Sequence, residues 1–311
     1  MSRPRIAVVP ANARPWVRTA VEAGGAEVVE DMANAEALVW TETTGPEAAD
    51  ELRSAIDANP HLKWVQLPWA GVENYATENV FDSDRLWTCG KGVYAKPVAE
   101  HALGLALAGL RGMKQYAREE TWGDRSSGVS LVGGTVTIFG GGGITQELVK
   151  FLQPFDCRIT VIRKHPQPMD GVDQVLPFDR KYEALKGADA VFLALSLTPE
   201  TTSMISEIEL EVMEPHAWLI NVARGEHIVT EDLVIGLREN VIGGAALDVT
   251  DPEPLPDGHP LWRLPNCLIT PHTANTEATE QQYLSHRLTE NVKRYIEGRD
   301  LLGPIDPNLG Y

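Results

Sequence analysis

Short apolar runs that alternate with helix-length amphipathic segments constrain this chain more than any other feature of its sequence. RIAVV (5–9), ALVW (37–40) and LKWVQL (62–67) are candidate strands, and the segments near 13–24 and 46–58 between them read as helices. Such alternation implies a parallel sheet flanked by helices. The pattern then restarts with TVTIF (135–139), RITVI (158–162), DAVFLAL (189–195), AWLINV (217–222), GGAALDV (243–249) and CLIT (267–270). The expected fold class is α/β, with two doubly wound parallel-sheet lobes rather than one large sheet. The 311 residues suffice for two such cores.

KPVAEHALGLALAGLRGMKQYA (96–117) lies between the two series of strands. Pro97 suits a first helical turn, and the segment is apolar nearly all round, which marks a buried helix between the lobes. Its small residues, with the segment around Trp122, suggest a homodimer. A C-terminal helix of roughly 276–297 follows the last strand and would cross back to the first lobe. The expected domains are therefore 1–96 with 276–311, and 97–275.

A net charge of −17 argues against nucleic acid or an anionic membrane surface as partner. No apolar run reaches the roughly 18–20 residues of a membrane span, and MSRPRIAVVPANARP has no leader-like apolar core. Three widely spaced cysteines, Cys89, Cys157 and Cys267, read as reduced thiols of a cytoplasmic protein. No Cys/His cluster suggests a metal.

TVTIFGGGGITQELVKF (135–151) has the strand–glycine turn–helix order of a dinucleotide-binding unit. Gly140 would allow the tight turn and Gly142 the approach of a pyrophosphate. The helix start at Gly143 and Ile144 would present free N–H groups to that anion. Thr145 stands where the last glycine of the motif is expected. An acidic residue at the end of the next strand would select NAD; RITVIRKHP instead ends in Arg163, Lys164 and His165, which suit the 2′-phosphate of NADP.

Ligands of an open parallel sheet sit beyond the carboxyl ends of its strands. AWLINVARGE ends in Arg224, GGAALDVTDPEP in Asp248 with Glu253 beyond it, and CLITPHTAN in His272. One Arg, two carboxylates and one His thus follow three strands of the lobe that carries the glycine turn.

LPWAGVENY (67–75), KPVAEHALGLALA (96–108), TVTIFGGGGI (135–144), LSLTPETTSMI (195–205), INVARGEHIVTEDL (220–233), ALDVTDPEPLPDGHPLW (246–262) and TPHTANT (270–276) carry a resemblance that spans most of the chain. Together they resemble the D-isomer-specific 2-hydroxyacid dehydrogenases, most of all the NADPH-preferring glyoxylate/hydroxypyruvate reductase type. The resemblance implies a Rossmann cofactor domain with a flavodoxin-like substrate domain, and NAD(P)H-dependent reduction of a small 2-oxo acid to the D-2-hydroxy acid. NADP would be preferred, with NAD possible. Arg224 would bind the substrate carboxylate, His272 would donate the proton, and Glu253 would hydrogen-bond His272 and raise its pKa. Asp248 would hold the nicotinamide carboxamide. Backbone N–H groups around Ala70, Gly71 and Val72 would take the other side of the carboxylate, with lobe closure completing the site. Trp69 reads either as a core aromatic or as a wall of the substrate pocket. A different class of function, a dinucleotide-sensing binding protein of the same fold with little turnover, stays open. NAD-dependent formate oxidation is disfavoured by Arg163.

Overall fold

The computed structural model describes residues 3–10, 14–41, 47–72, 75, 80–123 and 128–307. The chain divides into two compact units, Met1–Tyr94 with Thr276–Tyr311, and Ala95–Asn275. The first contains strands β1 (Arg5–Val9), β2 (Glu27–Val29), β3 (Ala37–Trp40), β4 (Trp64–Gln66) and β5 (Leu86–Thr88), all parallel, in the order β2-β1-β3-β4-β5. This is the flavodoxin-like order. Helices α1 (Pro15–Ala23) and α2 (Glu47–Ala58) lie in the β1–β2 and β3–β4 crossovers. The central strand β3 is buried at every residue, as expected for a parallel strand covered on both faces.

In the second unit, β6 (Thr135–Phe139), β7 (Arg158–Ile162), β8 (Gln174–Leu176), β9 (Ala190–Leu193), β10 (Trp218–Asn221), β11 (Gly244–Leu247) and β12 (Cys267–Ile269) form one sheet. Its strands are again all parallel, in the order β12-β11-β10-β9-β6-β7-β8. Counted from β6, this is the doubly wound dinucleotide-binding order with one added edge strand, and the order reverses between β6 and β9. The helices of this unit include α3 (Ala95–Leu110), α4 (Gly143–Leu152), α5 (Lys181–Leu185), α6 (Glu207–Val212) and α7 (Thr230–Arg238).

Helix α3, read from the sequence as lying between the lobes, is part of the second unit. Its buried Ala99, Ala102, Ala106 and Gly109 let it pack closely on α4 and β10. A Cβ at Gly109 would lie 2.2 Å from the Trp218 ring. The small residues that suggested a dimer surface are thus used in packing within the unit.

Three strands went unseen in the sequence: β2, β5 and β8. Each has three residues, sits at a sheet edge and exposes its first residue. An edge strand has one pairing partner and a wet flank, so its sequence needs no continuous apolar run.

The final helix, α8 (Glu277–Glu297), starts at Thr276, whose hydroxyl accepts the Thr279 N–H, and stops at Gly298 with φ 66°. It docks in the first unit against α1. A Cβ at Gly24 would come within 2.5 Å of Val292 Cβ, so glycine there permits the close helix crossing. Beneath it runs a buried polar chain. Asn291 Nδ2 donates to Gln66 Oε1 at 2.8 Å and to the Leu302 carbonyl at 3.0 Å, while Asn291 Oδ1 accepts the Leu302 N–H at 2.8 Å. Thr88 Oγ1 donates to the same Gln66 oxygen and accepts from Trp64 Nε1, each at 2.8 Å. Among the described residues, no helix is long and apolar enough to cross a membrane.

The Asn291 side chain thus ties the last helix and the tail to β4. Asn291→Leu keeps the branched side-chain shape but strands the Leu302 groups and removes one donor from Gln66. It should destabilise the protein by about 2–4 kcal/mol, read from urea unfolding; a loss under about 0.5 kcal/mol would show that this chain does not hold the helix.

Candidate active site

The glycine turn lies at the point where the strand order of the second sheet reverses. Gly140 has φ 106°, and its N–H donates to the Ile162 carbonyl at 2.8 Å. A Cβ there would stand 2.2 Å from the Ala194 carbonyl oxygen at the end of β9, so both the conformation and the spacing demand glycine. Gly142 caps α4, and a Cβ on it would meet nothing within 4 Å. The packing of the chain therefore does not require glycine at 142; what glycine leaves there is room for a close-approaching ligand.

Gly143 and Ile144 open α4, whose first turn holds no acidic residue, so its N–H groups form a site suited to an anion. Thr145 is fully buried, and its hydroxyl donates to the Gly140 carbonyl at 2.9 Å. The position of the missing third glycine thus accepts a small side chain whose hydroxyl is satisfied and which braces the turn.

The two cations that follow β7 diverge. Arg163 lies over the turn: a Cβ at Gly141 would meet its Cδ and Nε at 2.9 Å and its Cζ at 3.1 Å. Lys164 is exposed and faces Glu200, with Nζ 3.9 Å from Oε1.

Beyond β10, β11 and β12 the remaining side chains converge. Arg224 Nη1 donates to the Ala223 carbonyl at 2.7 Å, and the Arg224 carbonyl accepts from Asn221 Nδ2 at 2.8 Å. Gly225 presses this loop onto the 250–251 backbone, where a Cβ would fall 2.0 Å from Thr250 C. The same backbone leads into the turn that carries Glu253. Glu253 Oε1 accepts from His272 Nδ1 at 2.7 Å, and Glu253 Oε2 accepts from the Thr250 N–H at 3.4 Å. A carboxylate facing Nδ1 requires the hydrogen there, which leaves Nε2 as the nitrogen that exchanges a proton.

The hydrogen bond that His272 donates to Glu253 raises the His272 pKa, against the opposing effects of burial and of the Arg224 charge. Burial would raise the Glu253 pKa, but the bond to His272, the Thr250 N–H and Arg224 outweigh it and hold it below the usual value. The pair therefore favours imidazolium–carboxylate. His272 has φ 51°, a left-handed backbone that costs about 1–3 kcal/mol in a residue with a side chain.

Asp248 is buried beneath this loop. Its Oδ1 accepts from Thr270 Oγ1 at 2.6 Å and the Thr273 N–H at 2.9 Å, and its Oδ2 accepts the Ala274 N–H at 3.0 Å. Burial alone would raise its pKa; His101 and these donors reverse that and lower it. Expected to hold a cofactor amide, Asp248 already holds the loop that presents His272.

The remaining expected residues belong to the first unit. Trp69 is half-buried against Tyr94, with ring centroids 5.7 Å apart, and its carbonyl accepts the Gly90 N–H at 2.8 Å. Tyr94 Oη donates to the Pro68 carbonyl at 3.0 Å. Ala70 is exposed and Gly71 half-buried, whereas the Val72 side chain belongs to the core of that unit. Glu73 and Asn74 of the quoted loop lie outside the described residues, as do Asp124–Ser127 beside Trp122.

Residues 102–274 match the model of the D-isomer specific 2-hydroxyacid dehydrogenase, NAD binding domain. This chain belongs to the D-isomer specific 2-hydroxyacid dehydrogenase family. A Corynebacterium melassecola protein, an uncharacterized protein in the proB 3′ region, is 34% identical over 94% of this chain and 95% of its own length. The glyoxylate reductase of Thermofilum pendens is 31% identical over 78% of this chain and 74% of its own length. The crystal structure of a D-isomer specific 2-hydroxyacid dehydrogenase from Xanthobacter autotrophicus Py2, in complex with NADPH and MES, superposes with a TM-score of 0.85. It is 24% identical and the match covers 100% of both chains, a likeness of fold. The family is one of oxidoreductases.

Within this family member, sequence reading passed over Gly225, Thr270 and His101. Gly225 was visible as the residue after Arg224, but the backbone it must approach is 25 residues away. His101 left no local signal, because its partners Thr270 and Asp248 lie far along the chain. Among the described residues, no group of three or more His, Cys, Asp or Glu side chains could hold a metal ion.

Proposed function

We propose that this protein is an NADPH-preferring reductase of small 2-oxo acids of the glyoxylate or hydroxypyruvate kind, forming the D-2-hydroxy acid. The observation that carries the reading is the 2.7 Å His272–Glu253 contact, with the Arg224 loop pressed by Gly225 onto the backbone that leads to Glu253. The similarity to the Thermofilum pendens glyoxylate reductase supports the substrate class.

The residues of the glycine turn fit a dinucleotide. Gly142 leaves open room before the N–H groups of Gly143 and Ile144, and the Arg163 guanidinium over Gly141 suits a 2′-phosphate. Bound NADPH supplies hydride to C2 of the substrate. Arg224 binds the substrate carboxylate and fixes its orientation. His272 holds a proton on Nε2 and gives it to the developing alkoxide, and Glu253 keeps Nδ1 protonated and the ring oriented. Asp248 secures the loop, and its Oδ2, which accepts the Ala274 N–H, is assigned to the nicotinamide amide as well.

The raised His272 pKa sets the pH dependence. The imidazolium persists below that pKa, so reduction should run fully there and decline as pH rises through it; oxidation should show the opposite limb. His272→Asn should lower reductase kcat at least about 10²-fold and leave NADPH binding nearly unchanged. Steady-state assays with a panel of 2-oxo acids decide this. Near-normal turnover in the variant would remove the proton-transfer role, and NADPH binding by a wild type that turns over none of the panel would favour a sensing protein.

Arg163 is the cation at the turn, and one charge-assisted bond contributes about 1.5–3 kcal/mol, or roughly ten- to a hundredfold in affinity. The wild-type ratio of kcat/KM for NADPH over NADH should fall in that range and collapse in Arg163→Asp. Equal use of the two cofactors by the wild type would overturn the assignment.

We also propose a homodimer, supported by the exposed Trp122 and Met113 beyond α3. Sedimentation equilibrium at micromolar concentration should give twice the 34.1 kDa chain mass, and a monomer would reject it.

A further inference from the structure

His101 sits on α3 next to buried Ala102, four residues before buried Leu105, and its ring turns toward the end of β12. Its Nε2 lies 3.0 Å from Thr270 Oγ1 and 3.3 Å from Asp248 Oδ1. The single hydroxyl hydrogen of Thr270 is committed to Asp248 Oδ1 at 2.6 Å, because an ionised carboxylate only accepts. His101 Nε2 therefore carries a hydrogen and donates it to this pair. The same Asp248 carboxylate accepts the N–H groups of Thr273 and Ala274, and the Asp248 carbonyl accepts the N–H of His272 at 2.8 Å.

We propose that His101 is a positioning residue of the proton-transfer site, whose Nε2–H anchors the Thr270–Asp248 pair and so keeps the 270–274 loop in the shape that brings His272 onto Glu253. This role rests on the reductase reading given above only for its kinetic consequence. The geometry stands without it. A left-handed His272 persists only if its surroundings over-determine it, and the half-exposed ring is fixed at Nδ1 by Glu253 and through its backbone by Asp248. The donor from α3 ties this loop to a helix, whereas the Asp248 bonds tie it to a neighbouring strand end. The charged and titratable groups that act on His272 are Glu253, Arg224 and Asp248; His101 meets Asp248.

The test follows the His272 ring by NMR in full-length protein with labelled histidine, its resonance assigned by loss in His272→Asn. In the wild type it should titrate above the ordinary histidine range. In His101→Leu the midpoint should fall by at least about half a pH unit as the Glu253 contact loosens, while His101→Gln, which restores an N–H near the Nε2 position, should recover most of the shift. With a reducible 2-oxo acid, kcat of His101→Leu should drop about tenfold and the substrate KM should change less than twofold. An unchanged midpoint in His101→Leu, or equal loss in the Leu and Gln variants, overturns the proposal. If His101→Leu does not fold, Thr270→Val removes the bridging hydroxyl without touching α3, and an unchanged His272 midpoint there overturns it equally. A wild type without turnover would defeat the reductase reading, while the titration would still decide the role of His101.

Discussion

Parallel pairing in the second sheet is the constraint on which the candidate site depends. Every strand of that sheet runs the same way, so every strand delivers its following residue to the same edge. Gly140 after β6, Arg163 after β7, Arg224 beyond β10, Asp248 after β11 and His272 beyond β12 reach that edge for this one reason. The strands are about 4.8 Å apart, so residues more than a hundred positions apart in the chain become neighbours across the ends of a few strands.

Close backbone approach then decides which side chains the edge can carry. Gly140 meets the end of β9, and Gly225 meets the Thr250–Asp251 backbone at distances no Cβ tolerates. The second contact brings the Arg224 loop onto the turn of Glu253, and its charge acts on both members of the His272–Glu253 pair. Arg224 pulls the two partners in opposite senses: it favours ionised Glu253 and disfavours charged His272. The hydrogen bond between the partners wins for His272, which is why the pair favours the charge-separated form. Asp248 obeys a related balance. Its burial disfavours charge, yet donors from one helix and one loop satisfy it, and that satisfaction shapes the loop.

Much of this was legible in the residues. The alternation of apolar runs marked nine of the twelve strands among the described residues, and the edge strands β2, β5 and β8 escaped because a short strand with one wet flank leaves no periodic signature. Arg163, Lys164 and His165 read as one basic cluster, and only packing separated the first two, one over the glycine turn and the other toward Glu200. Thr145 read as a defect because sequence shows the missing glycine and not the carbonyl its hydroxyl reaches.

By itself the sequence determined the parallel α/β architecture, the glycine turn and the identity of the strand-end residues, because periodicity and residue chemistry are local properties. Tertiary structure alone decided that the small residues of α3 pack on α4 and β10, that Asp248 braces the His272 loop, and that His101 reaches Thr270. Each of these depends on contacts between segments far apart in the chain, and no local pattern encodes the distance between them.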